Sequence, residues 1–273
     1  MTDASEWTGA VGTAWAQEWR RTDRSFGDLT AALLAPARIG AFEAALDIGC
    51  GAGELSLALA GRHPSSRVRG IDISPELLAV AAGRGADFPQ VVFEQADASR
   101  WAAPPGERPD FLVSRHGVMF FDEPAAAFAH LRGQAAPGAR LRFSCFRARE
   151  DNGWVVELAA VLPQPPAADP HAPGPFAFAD PARVTGLLEA GGWRDIAFEP
   201  VDYAMVAGEG ADAVDQALAY FQRIGPAARI LRGMSDESRP DALARLRAVI
   251  AAHDSGGCVG LPSAAWIVTA SAP

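Results

Sequence analysis

The sequence predicts an α/β fold built on a doubly wound, mostly parallel sheet. From Phe42 onward, short runs rich in β-branched and other apolar residues alternate with longer helical runs, which is typical of βαβ units. One short run, Ala44 to Ile48, leads directly into a glycine-rich turn. Helix starts fit the alternation. Ser74 and Asp180 each stand directly before a proline and Asp122 stands two residues before Pro124, the order expected of a cap and a first helical residue.

The chain is divided into four segments by its hydropathy pattern. Residues 1–41 predict a helical N-terminal cap of two amphipathic helices, and residues 42–150 predict the ligand-binding core. Residues 151–180 form a Pro-rich insertion (LPQPPAADPHAPGPFAF in its centre) that we expect to fold over the sheet as a lid without regular structure. Residues 181–273 complete the sheet and add helices on the substrate side.

The strands and helices follow in order along the chain. The core strands are predicted at Ala44 to Ile48, Arg67 to Ile71, Val91 to Gln95, Phe111 to Ser114 and Arg140 to Phe146. The tail predicts a helix at Pro181 to Ala190, a strand at Asp195 to Val206, helices at Asp212 to Arg232 (broken at Pro226) and Arg239 to His253, and a last strand at Ala264 to Ser271.

Composition and charge narrow the class of protein. With 273 residues, of which 49% are hydrophobic, the chain can bury a large core. Its formal net charge of −9 opposes binding to nucleic acid or anionic lipid. The three cysteines lack metal-ligand spacing, so we expect neither zinc nor disulfides. A polar, acidic N-terminus and the lack of a long apolar run predict a cytoplasmic protein without a membrane span.

The glycine-rich turn carries the most information about the ligand. Gly49, Gly51 and Gly53 follow Asp47 at the end of the first strand, where glycine permits close approach of a ligand to the backbone at a helix N-terminus. A dinucleotide-binding turn needs the spacing GxGxxG, which these glycines do not have. An NAD-dependent oxidoreductase is therefore disfavoured.

Polar residues end the next three strands as well. Asp72 ends the second strand, where a carboxylate can accept hydrogen bonds from both ribose hydroxyls. Asp97 and Ala98 follow the third strand and offer an acceptor and a backbone N–H to an adenine, although Asp97 could instead cap the following turn. Ser114 ends the fourth strand, and His116 follows it. Because parallel strands end at one edge of a sheet, these groups predict a nucleoside site there.

The motifs DIGCGAGE, GIDISPELL, QADA, FLVSRHGVMFF and LRFSCFR resemble the successive motifs of class I S-adenosylmethionine-dependent methyltransferases. GVMFF, DNGW and PGPFAFADP are similar to a bacterial subgroup related to the ubiquinone and menaquinone C-methyltransferases. The resemblance implies a seven-stranded Rossmann-like sheet whose last strand is antiparallel. It also implies that S-adenosylmethionine binds with its methionine end over the three glycines, its ribose on Asp72 beside Ile73, and its adenine near Asp97 and Ala98.

Two aromatic residues, His116 and Trp15, are further candidates for the site. His116 replaces the aromatic residue usual in similar proteins, and a neutral imidazole there could accept a proton from the attacking group or simply pack. Trp15 could belong to the core or contribute cation–π attraction to a sulfonium.

The expected reaction is metal-independent methyl transfer to a moderately apolar small molecule, with S-adenosylhomocysteine as product. Oxygen or carbon is the favoured acceptor atom and nitrogen stays open. The alternatives are a non-catalytic nucleoside-binding module and an enzyme that uses the same fold for other chemistry. The sequence leaves the substrate and the oligomeric state undetermined.

Overall fold

The computed structural model describes residues 4–163 and 169–273, and its centre is a sheet of seven strands within those residues. The strand order is β3-β2-β1-β4-β5-β7-β6. Strand β7 runs antiparallel to both of its neighbours, whereas the pairs among β1 to β5 are parallel. The strands are β1 (Ala44–Ile48), β2 (Arg67–Asp72), β3 (Val91–Gln95), β4 (Phe111–Arg115), β5 (Arg140–Phe146), β6 (Arg194–Glu209) and β7 (Cys258–Ser271). This confirms the predicted doubly wound, mostly parallel sheet.

The strand order reverses between β1 and β4, and this reversal opens a crevice at the carboxyl edge of the sheet. Four helices connect and cover the parallel strands: α6 (Glu54–Arg62), α7 (Pro75–Arg84), α8 (Pro124–Gln134) and α10 (Pro181–Ala190). Ser74 and Asp180 cap α7 and α10 through their side chains, as predicted. The predicted Asp122 cap is wrong, because Glu123 occupies the N-cap of α8 without a side-chain hydrogen bond.

From residue 4 onward, where its description begins, the N-terminal cap consists of five short helices instead of the two predicted. They are α1 (Ala4–Trp7), α2 (Ala10–Gln17), α3 (Trp19–Ser25), α4 (Gly27–Leu33) and α5 (Pro36–Ile39). The breaks at Glu18 and Phe26 have near-zero ψ, which lets the chain turn and follow the sheet edge. Arg142 of β5 fixes this course, because its buried guanidinium donates to the last carbonyl of α4, Leu33 O, at 2.8 Å, a favourable place for a cation.

The Pro-rich insertion is partly helical, which corrects the expectation that it lacks regular structure. Helix α9 (Gly153–Ala160) forms at its start, where proline is missing from the sequence. Residues 164–168 of the predicted lid lie outside the described residues. Beyond them the chain returns to the core, where Phe178 is fully buried and Phe176 stacks on Trp154 with 6.3 Å between ring centroids.

The C-terminal part adds a long hairpin and three helices, α11 (Ala213–Phe221), α12 (Gly225–Arg232) and α13 (Arg239–Ala251). The last strand begins at Cys258, six residues before the predicted start. Pro262, a residue type that rarely occurs inside a sheet, pairs in register with Ala204 within the hairpin. The extra length carries the hairpin past the sheet edge, where β6 packs against α3 and α11. Within the described residues, no helix has both the length and the apolar character needed to cross a membrane.

Candidate active site

One cavity of about 850 Å³ lies at the carboxyl edge of the sheet. Its size is near the upper end of the roughly 300–1,000 Å³ of small-molecule sites. It begins beside the ends of β2 and β3, passes over the glycine-rich turn after β1, and continues under the N-terminal cap to α9, α11 and the start of α12. A cavity of this length and continuity can hold two molecules next to each other.

The three glycines of the turn all have positive φ but face different surroundings. A Cβ on Gly51 would meet no atom within 4 Å, and Gly51 lines the cavity. A Cβ on Gly49 would lie 3.1 Å from the Cα of Gly117. A Cβ on Gly53 would lie 2.8 Å from the ring of Phe93, and Gly53 is not part of the cavity wall. The structure therefore gives Gly53 a packing role between α6 and β3, which differs from the predicted ligand contact.

Asp72 lies in the cavity wall with its carboxylate tied to backbone. Its Oδ2 accepts a hydrogen bond from Gly51 N at 2.8 Å, and its Oδ1 accepts one from Ser74 N at 2.9 Å. Burial raises the pKa of Asp72, and these backbone donors oppose the rise. Each oxygen retains a lone pair, so the carboxylate is fixed in position and can still accept hydrogen bonds. Its neighbour Ile73 also lines the cavity.

Asp47 is buried at the end of β1 and also lines the cavity. Its Oδ2 accepts from the backbone N and the Oγ of Ser56, at 3.0 and 2.7 Å. Its Oδ1 is buried and has no hydrogen-bond partner. Burial raises the pKa of Asp47 to about 7, although Ser56 opposes the change. A buried carboxylate with an unpaired oxygen is a group prepared for a cation or a donor.

Asp97 and Ala98, which follow β3, lie in the cavity wall. The Asp97 Oδ1 accepts from Ser99 N at 2.9 Å and from Ser99 Oγ at 2.7 Å. This is the turn-capping geometry that the sequence left as an alternative. The second oxygen faces Arg100 Nε at 3.9 Å, so a bound ligand can still compete for it.

Ser114 does not belong to the cavity wall. Its fully buried hydroxyl donates to Ile48 O at 2.7 Å and accepts from Gly117 N at 3.2 Å. The predicted cofactor contact is thus replaced by a structural role, because Ser114 holds the ends of β1 and β4 together beneath the glycine-rich turn.

His116 lies in the cavity wall just after β4, in a backbone conformation that only a few per cent of non-glycine residues adopt (φ 59°). Its ring stacks on Phe146 and contacts the edge of Phe26. Both ring nitrogens are buried without hydrogen-bond partners. Burial, with a contribution from the Arg115 charge, lowers the pKa of His116 to about 3. The imidazole is therefore neutral, and strain and unsatisfied polar atoms of this kind occur together at functional sites.

Trp15 lines the cavity from helix α2, within a small aromatic group of the cap. The Trp7 ring lies 5.6 Å from the Trp15 ring and 5.2 Å from the Phe120 ring, centroid to centroid. Because this group covers the cavity from the cap side, the cap helps to exclude water.

A charged cluster in the wall was not predicted. Arg115 donates to Glu54 and to Thr30 Oγ1, the latter at 2.7 Å, and lies 3.8 Å from Asp23. Asp23 also pairs with Arg84 at 2.8 Å. Burial, together with the Glu54 charge, raises the pKa of Asp23 to about 7. Glu54 and Arg115 belong to the motifs DIGCGAGE and FLVSRHGVMFF, so the sequence could have indicated them. No sequence pattern marks Asp23, because its position in the wall depends on how the cap folds.

The described chain also resembles known proteins. Residues 45–138 match the family model described as "Methyltransferase domain". A trans-aconitate 2-methyltransferase of Methylobacterium radiotolerans is 31% identical over 230 residues, which cover 83% of this chain and 77% of the relative. One of Paracidovorax citrulli is 37% identical over 133 residues, but that alignment spans only 48% of this chain and 50% of the relative. The narrower likeness to ubiquinone and menaquinone enzymes stays a prediction.

Solved structures show the same fold. A putative methyltransferase of Bacillus halodurans has a TM-score of 0.56 at 16% identity, with 90% of this chain and all of that chain covered. The phosphoethanolamine N-methyltransferase 2 of Haemonchus contortus, in complex with S-adenosylhomocysteine, also has a TM-score of 0.56, at 17% identity, with 96% of this chain and 57% of that chain covered. The sheet order, the glycine-rich turn and the Methylobacterium radiotolerans relative, aligned over 83% of this chain, all indicate the same family. This chain belongs to the class I S-adenosylmethionine-dependent methyltransferase family.

Proposed function

We propose that this protein transfers the methyl group of S-adenosylmethionine to an oxygen or a carbon of a moderately apolar small molecule, with nitrogen as a further possible acceptor atom. The observation that carries this proposal is the continuity of the cavity from Asp72 and Asp97, over Gly51, to the aromatic residues around His116. Donor and acceptor can lie side by side in it. Holding two reactants in line can contribute up to roughly 7–11 kcal/mol to lowering a barrier.

The residues present fit this cofactor. Gly51 has no atom within 4 Å of its missing Cβ, which leaves room for a ligand against the backbone. Asp47 Oδ1 is an unpaired buried acceptor beside that turn. We assign the methionine end to Asp47, Gly49 and Gly51, the ribose to Asp72 beside Ile73, and the adenine to Asp97 and Ala98. Trp15 would cover the donor from the cap side, where an aromatic face attracts a sulfonium.

When bound, the cofactor supplies a methyl group on a positively charged sulfur, and S-adenosylhomocysteine is left after transfer. The chain's own residues position the acceptor, keep water out and hold polar groups in place. A dry aromatic surrounding favours a reaction in which charge separation decreases. His116, with a pKa of about 3, would form a hydrogen bond with the acceptor as a neutral imidazole and would not take up the acceptor's proton. That proton would pass to solvent as the methyl–sulfur bond breaks and the new bond to the acceptor atom forms.

The acceptor class follows from charge and composition. The net charge of −9 gives no electrostatic drive toward nucleic acid, so we propose a metabolite in place of RNA or DNA. The trans-aconitate relatives are named for a small-molecule acceptor, which supports the same class. A cytoplasmic location and metal independence belong to the proposal as well.

Incubation with S-adenosylmethionine labelled in its methyl group, in a heat-inactivated cell extract that contains both metabolites and RNA, tests the proposal. We expect label in a compound that partitions into organic solvent. An Asp72→Ala variant is the control, because it should bind the cofactor poorly and transfer no label. Label found only in RNA, or binding of the cofactor without any transfer, would contradict the proposal.

A further inference from the structure

The charges that face the cavity are strongly unbalanced. The chain contains no lysine, so all 24 residues of its Lys and Arg total are arginines. Within the described part of the chain, two arginines line the cavity, Arg100 and Arg115. The carboxylate side chains in its wall are Asp23, Asp47, Glu54, Asp72, Asp97, Asp122 and Glu123. Asp23 and Asp47, whose pKa values are raised to about 7, are partly protonated at neutral pH. The other carboxylates still outnumber the two arginines, so the cavity repels polyanions more than it attracts them.

Neither of these arginines is oriented to receive an acidic acceptor. Arg115, whose side chain is 13% exposed, is held by Glu54, Thr30 and Asp23. Arg100 has an 87% exposed side chain beside Asp97, at the solvent-exposed end of the site. A bound carboxylate would have to compete with protein carboxylates for Arg115 and would lose its own hydration when it enters.

The cavity wall below the cap is instead made of rings. We call it the aromatic wall, formed by Phe26, His116, Phe146, Trp154, Tyr220 and Phe221. His116 lies on Phe146, and the Phe146 ring is 5.3 Å from the Trp154 ring, centroid to centroid.

The polar atoms of the aromatic wall are mostly engaged. Trp154 Nε1 donates to Asn152 Oδ1 at 3.1 Å, and the Tyr220 hydroxyl lies 3.2 Å from Ser25 Oγ. The two nitrogens of His116 are the unpaired polar atoms of this wall. The wall thus presents ring faces and edges together with one neutral hydrogen-bonding group, which suits a flat ring that carries a hydroxyl.

We propose that the acceptor is an uncharged molecule with a flat aromatic ring, and that polycarboxylates such as trans-aconitate are not substrates of this chain. The rings of the aromatic wall would stack on the acceptor's ring, and the imidazole of His116 would form a hydrogen bond with the acceptor's hydroxyl group. This inference rests on the proposed function, since it specifies the acceptor half of the same cavity. It separates this chain from relatives named for an acceptor with three carboxylates.

Calorimetry on the wild-type protein saturated with S-adenosylhomocysteine tests the acceptor class. The three probes are 2-naphthol, 6-hydroxy-2-naphthoate and trans-aconitate. We expect 2-naphthol to bind at least tenfold more tightly than its carboxylated analogue and at least a hundredfold more tightly than trans-aconitate. Equal or tighter binding of either carboxylate, or no binding of 2-naphthol, would overturn the inference. Binding of S-adenosylhomocysteine is measured first, and its absence would contradict the proposed function itself.

A pair of variants on one helix tests the aromatic wall separately. Phe221→Ala removes a ring of the wall, whereas Leu218→Ala shortens a side chain of the same helix that does not line the cavity. We expect Phe221→Ala to raise the Kd for 2-naphthol at least fivefold and Leu218→Ala to leave it unchanged, with the Kd for S-adenosylhomocysteine constant in both. Equal effects of the two variants would contradict a stacking wall. If Phe221→Ala does not fold, the three-probe comparison on the wild type decides.

Discussion

The imidazole of His116 lies against the ring of Phe146, with 4.0 Å between the ring centroids and 13° between the ring planes. Stacking fixes one face of the imidazole and leaves its nitrogens as the polar atoms of an otherwise apolar surface. The arrangement explains why a histidine in this position stays neutral, since an imidazolium would lose its hydration there without gaining a hydrogen-bond partner.

Replacement of His116 should affect turnover more than cofactor binding. We expect His116→Ala to lower kcat about tenfold, which corresponds to about 1.4 kcal/mol of lost transition-state stabilisation. His116→Asn, which keeps a neutral hydrogen-bonding group, should recover part of the rate. Calorimetry with S-adenosylmethionine should give the wild-type Kd for both variants. Unchanged turnover in His116→Ala would remove this residue from the reaction.

The pH dependence of turnover offers a second test of His116. Because its pKa lies at about 3, the imidazole does not change charge between pH 5 and 9. The profile of kcat in His116→Asn should therefore have the same shape as that of the wild type. A rate that rises around pH 6.5 in the wild type but not in the variant would show that His116 titrates as a base.

Asp72 should control cofactor affinity. Loss of hydrogen bonds to a charged acceptor costs about 1.5–3 kcal/mol each, so Asp72→Asn should raise the Kd for S-adenosylmethionine roughly 10- to 100-fold. Asp97→Asn, whose carboxylate is engaged with Ser99, should have a smaller effect. Equal losses in the two variants would contradict the assignment of the ribose to Asp72.

Asp47 should decrease the stability of the free protein at neutral and higher pH. Its pKa is raised from 3.8 to about 7 by burial, so the folded state favours the protonated form. The stability that the folded state gains by binding this proton more tightly than the unfolded state is complete below about pH 4. It is lost as the pH rises through about 7. Asp47→Asn stays uncharged, and we expect it to raise Tm by about 2–4 °C at pH 8 and by less at pH 4.

The same Asp47→Asn variant should bind S-adenosylmethionine more weakly, because an unpaired buried carboxylate is lost. Such a gain in stability with a loss of ligand affinity is the trade-off expected when a functional residue is replaced. Thermal unfolding at both pH values and calorimetry check the two effects. A Tm gain of the same size at pH 4 and pH 8 would contradict a role for ionisation.

Alanine substitutions at Gly51 and Gly53 should affect different properties: mainly cofactor affinity at Gly51 and mainly stability at Gly53. Both have positive φ, so alanine costs roughly 1–2 kcal/mol of backbone strain at either position. Gly53→Ala adds a clash with the Phe93 ring and should lower Tm further than Gly51→Ala. Gly51→Ala, whose methyl group would enter open space, should lose cofactor affinity with the smaller change in Tm. The reverse order in either measurement would argue against this assignment.

The sequence alone predicted the central sheet because local signals agree there. The five core strands were placed to within one residue, since each is a short apolar run bounded by turn residues. The sequence could place Asp47, Gly49, Gly51, Asp72 and Asp97 in one cavity wall because parallel strands end at one edge and bring their last residues together. Each of these signals is local in the sequence. They define one site only because parallel strands end at the same edge of a sheet.

The cap and the hairpin were less predictable for a physical reason. The break at Glu18 has neither glycine nor proline beside it, and Pro262 sits inside a strand instead of ending it. In each case contacts with distant segments outweigh local preference. The roles of Gly53 and Ser114 also changed, because the direction in which each faces depends on Phe93 and on the end of β1.

The sequence by itself determined the fold class and the sheet edge at which the cavity lies, because these depend on strand order and on residues that follow strands directly. Its motifs indicated the class of cofactor through their resemblance to a family. Only the tertiary structure decided what lines the rest of the cavity. Asp23 of the cap joins Arg115 of β4 there, and Trp154 and Phe221 join His116, from segments that lie far apart along the chain. These residues interact only because folding brings them close together, and the hydropathy pattern of the sequence does not predict such contacts.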